Sequence, residues 1–311
     1  MKVSLNSSPL KAFPRKRGCA AATLFAIVCS ACSPSPAPAS IHKPFFSLRR
    51  PLFGFHREQC DGPVLARAVE RVNTASLYLL HFAPFGRPET GWATYAPAVE
   101  GEIGTSCAVN TGGFANALGR WQKRRGLSPT GIMTDQTFEV MKVDWQDRRP
   151  FVNVRAQGVC PTPPADKALA NARPEETYEG KAIQLRIRAL AAYRHMVADA
   201  RRQQPQIAAK PELLRIFSAY RSPAYDAARC AKEGNCQGVV RAACSAHRTG
   251  LAMDIVLDTA PGFAVDSSAD PNRLAMAKGV AYRWLVSNAR QYGFINYAFE
   301  PWHWEWTGEK P

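Results

Sequence analysis

Long apolar runs are missing from this chain of 311 residues. No stretch reaches the roughly 18 residues that would cross a membrane as a helix. Acids are scarce as well, 25 against 40 lysines and arginines, for a formal net charge of +15. That balance suits a polyanionic neighbour such as nucleic acid, anionic lipid or an acidic cell-wall polymer. No nucleic-acid-binding motif accompanies the charge, and no nucleic-acid partner is expected. Hydrophobic residues at 46% and charged residues at 21% exclude wholesale disorder. The His-Glu-x-x-His signature of helical metalloproteases is absent. So is Cys-x-x-Cys spacing among the six cysteines beyond residue 32, which excludes zinc ribbons.

What is present begins with an export leader. Lys2, Lys11, Arg15, Lys16 and Arg17 precede an apolar stretch from Cys19 to Val28, and the small residues Ser30 and Ala31 precede Cys32. These are the n-region, h-region and cleavage site of a secretory signal. Val28-Cys-Ser-Ala-Cys32 resembles a bacterial lipobox, which implies lipidation of Cys32 and a membrane-anchored lipoprotein of the periplasm or cell envelope. Simple cleavage near Ala31 is the alternative. Ser33 to Ser40 alternates proline with serine and alanine, a stiff tether. An export leader makes Cys60, Cys107, Cys160, Cys230, Cys236 and Cys244 a disulfide set. Six cysteines allow 15 pairings, of which Cys230 with Cys236 is the easiest to close.

The expected organisation is a signal over 1–31, a Pro/Ser-rich tether over 32–57, a helical domain over 58–150, a linker over 151–178 and a catalytic domain over 179–311. In the helical part, Phe114, Leu118 and Trp121 repeat at helical spacing before a stop at Gly126, and Thr134 N-caps a second short helix. Phe114–Met141, with Trp121-Gln-Lys-Arg-Arg-Gly-Leu127, Gly131 and Thr137, resembles the second half of a small three-helix peptidoglycan-binding domain; Cys60–Thr74 would be its first helix. In the catalytic part, a helix is expected from Glu179 to Gln203 with Ile183, Ile187, Leu190 and Val197 as its apolar stripe. Strands are expected at Leu213–Phe217, at Leu251–Leu257 and in the aromatic run Phe294–Trp306, and a second long helix at Pro271–Tyr292. Pro223–Ala243 reads as a disulfide-stapled loop, either the wall of a cleft or a surface insertion. The order fits an α+β domain with a mainly antiparallel sheet and flanking helices, preceded by the small helical domain.

Chemistry concentrates in three clusters. His247 precedes a glycine turn, and Asp254 lies between Met253 and Ile255, where burial is costly unless a cation or hydrogen bonds compensate. Glu300 stands three residues before His303, so Pro301 must break the strand if both are to face one site. In sequence order, Ser218-Ala-Tyr220-Arg221-Ser222, Ser245-x-His247-x-x-Gly250-x-Ala252-x-Asp254 and Glu300-x-x-His303-x-Trp304 resemble, with no polar position missing, the zinc D-alanyl-D-alanine carboxypeptidases of the VanY-like family.

The resemblance implies His247, Asp254 and His303 as ligands of Zn2+ and Glu300 as the general base that takes a proton from the attacking water. It implies Arg221 as the guanidinium that holds a substrate oxygen, with Ser245 hydrogen-bonding the peptide and Tyr220 and Trp302 lining the pocket. The expected activity is hydrolysis of peptidoglycan stem peptides, with removal of the terminal D-alanine. The alternatives are an endopeptidase of the same family and a non-catalytic wall-binding protein with a structural zinc. Oligomeric state is not legible.

Overall fold

The computed structural model describes residues 60–61, 66–158, 160–234, 236 and 244–311. The expected signal, Cys32 and tether lie outside the described residues. Phe55–Pro311 forms one compact unit, so the helical segment and the C-terminal segment share their packing.

The helical segment opens with α1 (Ala66–Leu79), followed by the two-residue strands β1 (His81–Phe82) and β2 (Glu89–Thr90). The helices α2 (Ala96–Ile103), α3 (Gly112–Arg124), α4 (Asp135–Asp147) and α5 (Pro150–Arg155) complete it. Thr111 and Thr134 cap α3 and α4, each hydroxyl accepting a backbone N–H three residues on. Phe114, Leu118 and Trp121 point into a core with Trp92, Tyr95 and Phe138. The link between α3 and α4 is stitched from both sides. The Asn73 side chain spans the Gly131 carbonyl and the Met133 N–H, while Gln122 reaches the Gly131 N–H and the Ile132 carbonyl. Gly131 has φ +70°, and a Cβ there would lie 2.6 Å from the Ala115 carbonyl oxygen, so only glycine fits.

Glu102 at the end of α2 gathers α3 and α4 around one carboxylate. It accepts from the Trp121 and Trp145 indoles at 3.2 Å each and from both terminal nitrogens of Arg148. Burial pushes the Glu102 pKa up, but the Arg148 hydrogen bonds and charge outweigh it, and the net shift is downward. Glu102→Ala is expected to cost about 3 kcal/mol at neutral pH, the scale for breaking a largely buried ion pair. Because the folded pKa is depressed, that contribution is fully present above the ordinary carboxylate range and is lost as pH falls through the folded value. Urea melts of the two proteins near neutrality and again in acid should therefore converge.

The C-terminal segment starts with a hairpin of β3 (Leu169–Asn171) and β4 (Gln184–Arg186), then α6 (Ile187–Gln203) and the single turn α7 (Pro205–Ala208). Next come β5 (Ile216–Ser218), α8 (Pro223–Glu233) and β6 (Ala252–Ile255). The helices α9 (Asp270–Lys278) and α10 (Val280–Asn288) precede β7 (Phe294–Asn296) and β8 (His303–Trp306). The main sheet has the order β5-β6-β8-β7, antiparallel throughout, and the domain is α+β.

Several boundaries differ from the sequence expectation, each for a tertiary reason. The helix expected from Glu179 starts at Ile187, because residues 184–186 pair with β3; Ile187 itself is 53% exposed and takes no part in the buried stripe. The helix expected from Pro271 to Tyr292 breaks at Gly279, which is extended (ψ 148°) with Asp258 packed where a Cβ would stand. The expected loop after Pro223 begins instead as α8, with the Ser222 hydroxyl capping it and proline in the first turn. The first helix of the N-terminal segment, described from Ala66, runs to Leu79 rather than ending at Thr74.

All six cysteines pair: Cys60–Cys107, Cys160–Cys244 and Cys230–Cys236. Cys160–Cys244 ties the connection between the segments to the chain just before His247.

Candidate active site

Strand parity builds the floor of the site. Met253 and Ile255 of β6 and Trp304 and Trp306 of β8 enter the main core under α6 and α10. The alternate positions, Asp254 and His303, face the opposite side. Register then places Asp254 directly across from His303 on β8 and across from Ser218 on β5. His247 comes from a 3-10 turn, Ala246–Thr249, which Gly250 closes with φ 66° and feeds into β6. Ligand atoms of His247, Asp254 and His303 all lie within 4.8 Å of one another, and each residue is only 4% exposed.

The turn carrying Glu300 resolves the spacing problem seen in the sequence. The Glu300 N–H donates to the Tyr297 carbonyl at 2.8 Å, and the His303 N–H donates to the Glu300 carbonyl at 2.9 Å. Two successive three-residue turns thus replace the strand before His303, and both side chains reach one cleft. Asn296 fastens this turn, its side-chain amide donating to the His303 carbonyl at 2.8 Å. The cleft has a volume of about 880 Å³, and Glu300, His247, Asp254, His303, Arg221 and Ser245 all line it.

Hydrogen bonds set the imidazoles. His247 Nδ1 lies 2.7 Å from the Ala219 carbonyl and so donates to it, leaving the Nε2 lone pair toward Asp254 Oδ2 at 3.2 Å. His303 Nδ1 lies 2.9 Å from Asp254 Oδ1, and its Nε2 faces Glu305 Oε1 at 3.4 Å. Burial, reinforced by the Arg221 charge, pushes the His247 pKa down to about 4, so this ring is neutral. For Asp254 burial acts upward, but the two histidines hold it well below the usual carboxylate range. For His303 burial acts downward, yet hydrogen bonds to Asp254 and Glu305 raise it to about 9. Burial raises the Glu300 pKa above the ordinary carboxylate value.

Two imidazole nitrogens and one carboxylate oxygen form the donor set of a catalytic zinc site with a position left for solvent or substrate. The buried trio fits that ion: one histidine is oriented by a carbonyl, the other by a carboxylate, and the charge compensation now supplied by a proton on His303 could pass to a dication.

The other expected residues fall in different places. Arg221 donates to Ser218 Oγ through Nε and Nη2, and Nη2 lies 3.0 Å from Asp254 Oδ2. Ser245 spends its hydroxyl proton on Asp226 of α8 at 2.6 Å, which leaves its oxygen only as an acceptor. Trp302 lines the cleft while remaining 3% exposed in the core. Tyr220, expected in the pocket, is not among the lining residues. Its N–H is bound to the Gln184 carbonyl of β4, and its neighbours Ser218 and Arg221 supply that wall. Tyr225 and Arg229 of α8 join the lining, and so do Arg149, Val152 and Arg155 from the helical segment, which sequence reasoning did not find.

Among the described residues, no helix is long and apolar enough to cross a membrane. No curated protein matches the chain. A family model does match: VanY, D-alanyl-D-alanine carboxypeptidase, over residues 182–309, the span that carries the buried trio, Arg221 and Glu300. Residues 182–309 thus carry a VanY-type domain, similar to D-alanyl-D-alanine carboxypeptidases.

Proposed function

We propose that this chain is a zinc-dependent peptidase of the cell envelope that removes the terminal D-alanine from peptidoglycan stem peptides. The observation that carries the reading is the buried trio His247, Asp254 and His303 at the floor of a cleft that also presents Glu300. Zinc held by the trio would supply Lewis acidity, polarising the scissile carbonyl and lowering the pKa of water. Glu300 takes the proton of the attacking water and returns it to the departing amine; its raised pKa suits both halves of that exchange. Arg221 offers the substrate a planar cation already steadied by Ser218 and Asp254. The basic lip formed by Arg155, Lys181 and Arg229 suits a peptide rich in carboxylates. Lipidation of Cys32 and wall binding by the helical segment would both keep the enzyme near its polymer.

Arg221→Lys keeps the charge and loses the paired donors. It is expected to lower kcat/KM roughly 10- to 100-fold, the worth of a charge-assisted hydrogen bond, with zinc content unchanged. Steady-state kinetics separate the roles: a fall in kcat places the guanidinium on the transition state, a rise in KM on the bound peptide. Wild-type kinetics would remove Arg221 from the chemistry.

The substrate is decided by mass spectrometry of purified wall fragments after incubation with the protein. Loss of a single alanine from pentapeptide stems supports the carboxypeptidase. Cleavage of cross-linked dimers with pentapeptide ends left intact supports the endopeptidase instead.

A further inference from the structure

The seam between the helical segment and β8 contains a buried ion pair that the chemistry above does not use. Glu305 stands two residues after His303 on the same strand, so both side chains leave the same face of β8. It is 2% exposed and is not among the residues that line the cleft, although its partners Arg149 and His303 are. Arg149, at the start of α5 and 6% exposed, donates to Glu305 Oε1 through Nε at 2.8 Å and Nη2 at 2.6 Å. The Phe151 N–H donates to the other carboxylate oxygen at 3.1 Å. The oxygen that receives Arg149 is the one facing His303 Nε2 at 3.4 Å. The same guanidinium lies over the Tyr297 ring, 4.1 Å from its centroid, and Tyr297 opens the turn that carries Glu300.

We propose that Arg149 and Glu305 are positioning residues through which the helical segment orients the metal ligand His303 and steadies the turn bearing Glu300. The inference rests on the zinc reading of the site. A well-packed apolar pair could close this seam at similar or greater stability. What an apolar pair cannot do is accept the Nε2–H of His303 and so present Nδ1 to the metal. Outer partners of this kind typically govern metal affinity by 10- to 100-fold. The consequence is that α5 belongs to the catalytic centre, and the helical segment is not a detachable module.

The test is zinc affinity, read by competition with a chromophoric chelator, in Glu305→Gln, Arg149→Met and the double variant, each confirmed as folded by near-UV circular dichroism. Both single variants should bind zinc 10- to 100-fold more weakly than wild type. The double variant should lose no more than the weaker single, because the two act as one unit. Folded single variants with wild-type zinc affinity would overturn the relay. A second measurement needs no variant: long-range proton–nitrogen correlation spectra of the zinc-loaded wild-type chain should show His303 protonated at Nε2 and metallated at Nδ1. The opposite tautomer would overturn the relay even if the variants fail to fold. A wild-type chain that takes up no zinc removes the underlying metal reading, whereas one that binds zinc while the variants match it removes the relay alone.

Discussion

Glu300→Ala is expected to retain zinc and the fold while losing at least two orders of magnitude in turnover, the scale for removing a general base. Glu300 is held at the cleft by its backbone, through the paired turns Tyr297–Glu300 and Glu300–His303, so truncating its side chain leaves those bonds in place. Its carboxyl is absent from the close trio of ligand atoms, which the metal would occupy without it. Zinc content by elemental analysis and turnover on a pentapeptide stem, measured on one preparation, decide the matter. Loss of zinc together with activity would make Glu300 a ligand; full activity would remove it from the reaction.

His247→Ala or His303→Ala should abolish most zinc binding, from about one ion per chain, and activity with it. Two remaining donors cannot complete the three-ligand set of a catalytic zinc site. The two changes should differ in stability. His247 contributes a neutral ring anchored to the Ala219 carbonyl, whereas His303 sits between two carboxylates, Asp254 and Glu305. Removing His303 takes the shared partner from that pair, and its zinc-free form should melt lower than that of His247→Ala. Elemental analysis and thermal melts of zinc-stripped proteins check both statements.

The cluster of His247, Asp254 and His303 is legible in the sequence through the order of the three motifs rather than through any one residue. Asp254 is a charge in an apolar strand, and His247 immediately precedes a glycine turn. The same logic applied to Glu305, flanked by Trp304 and Trp306, would have exposed a second buried carboxylate. Its partner Arg149 carries no such mark: an arginine before a proline reads as surface, and only the packing of α5 on β8 buries it. Ser222-Pro223 is a readable helix start, a capping hydroxyl before a first-turn proline, that the cysteines beyond it mask by suggesting a stapled loop. The early start expected for α6 failed for a different reason. Residues 184–186 carry no feature that distinguishes strand from helix, and pairing with β3 over a distance of more than ten residues decided the outcome. The motif puts Tyr220 in the pocket, whereas Ser218 and Arg221 are the residues of that motif that line it.

The account stands most directly on one assay: release of D-alanine from a stem pentapeptide by the wild-type chain as isolated, after exhaustive chelation, and after return of one equivalent of zinc. Activity that disappears on chelation and returns with zinc is the predicted result. Alanine release that survives complete removal of the metal would contradict it, as would a zinc-loaded chain that leaves the pentapeptide intact.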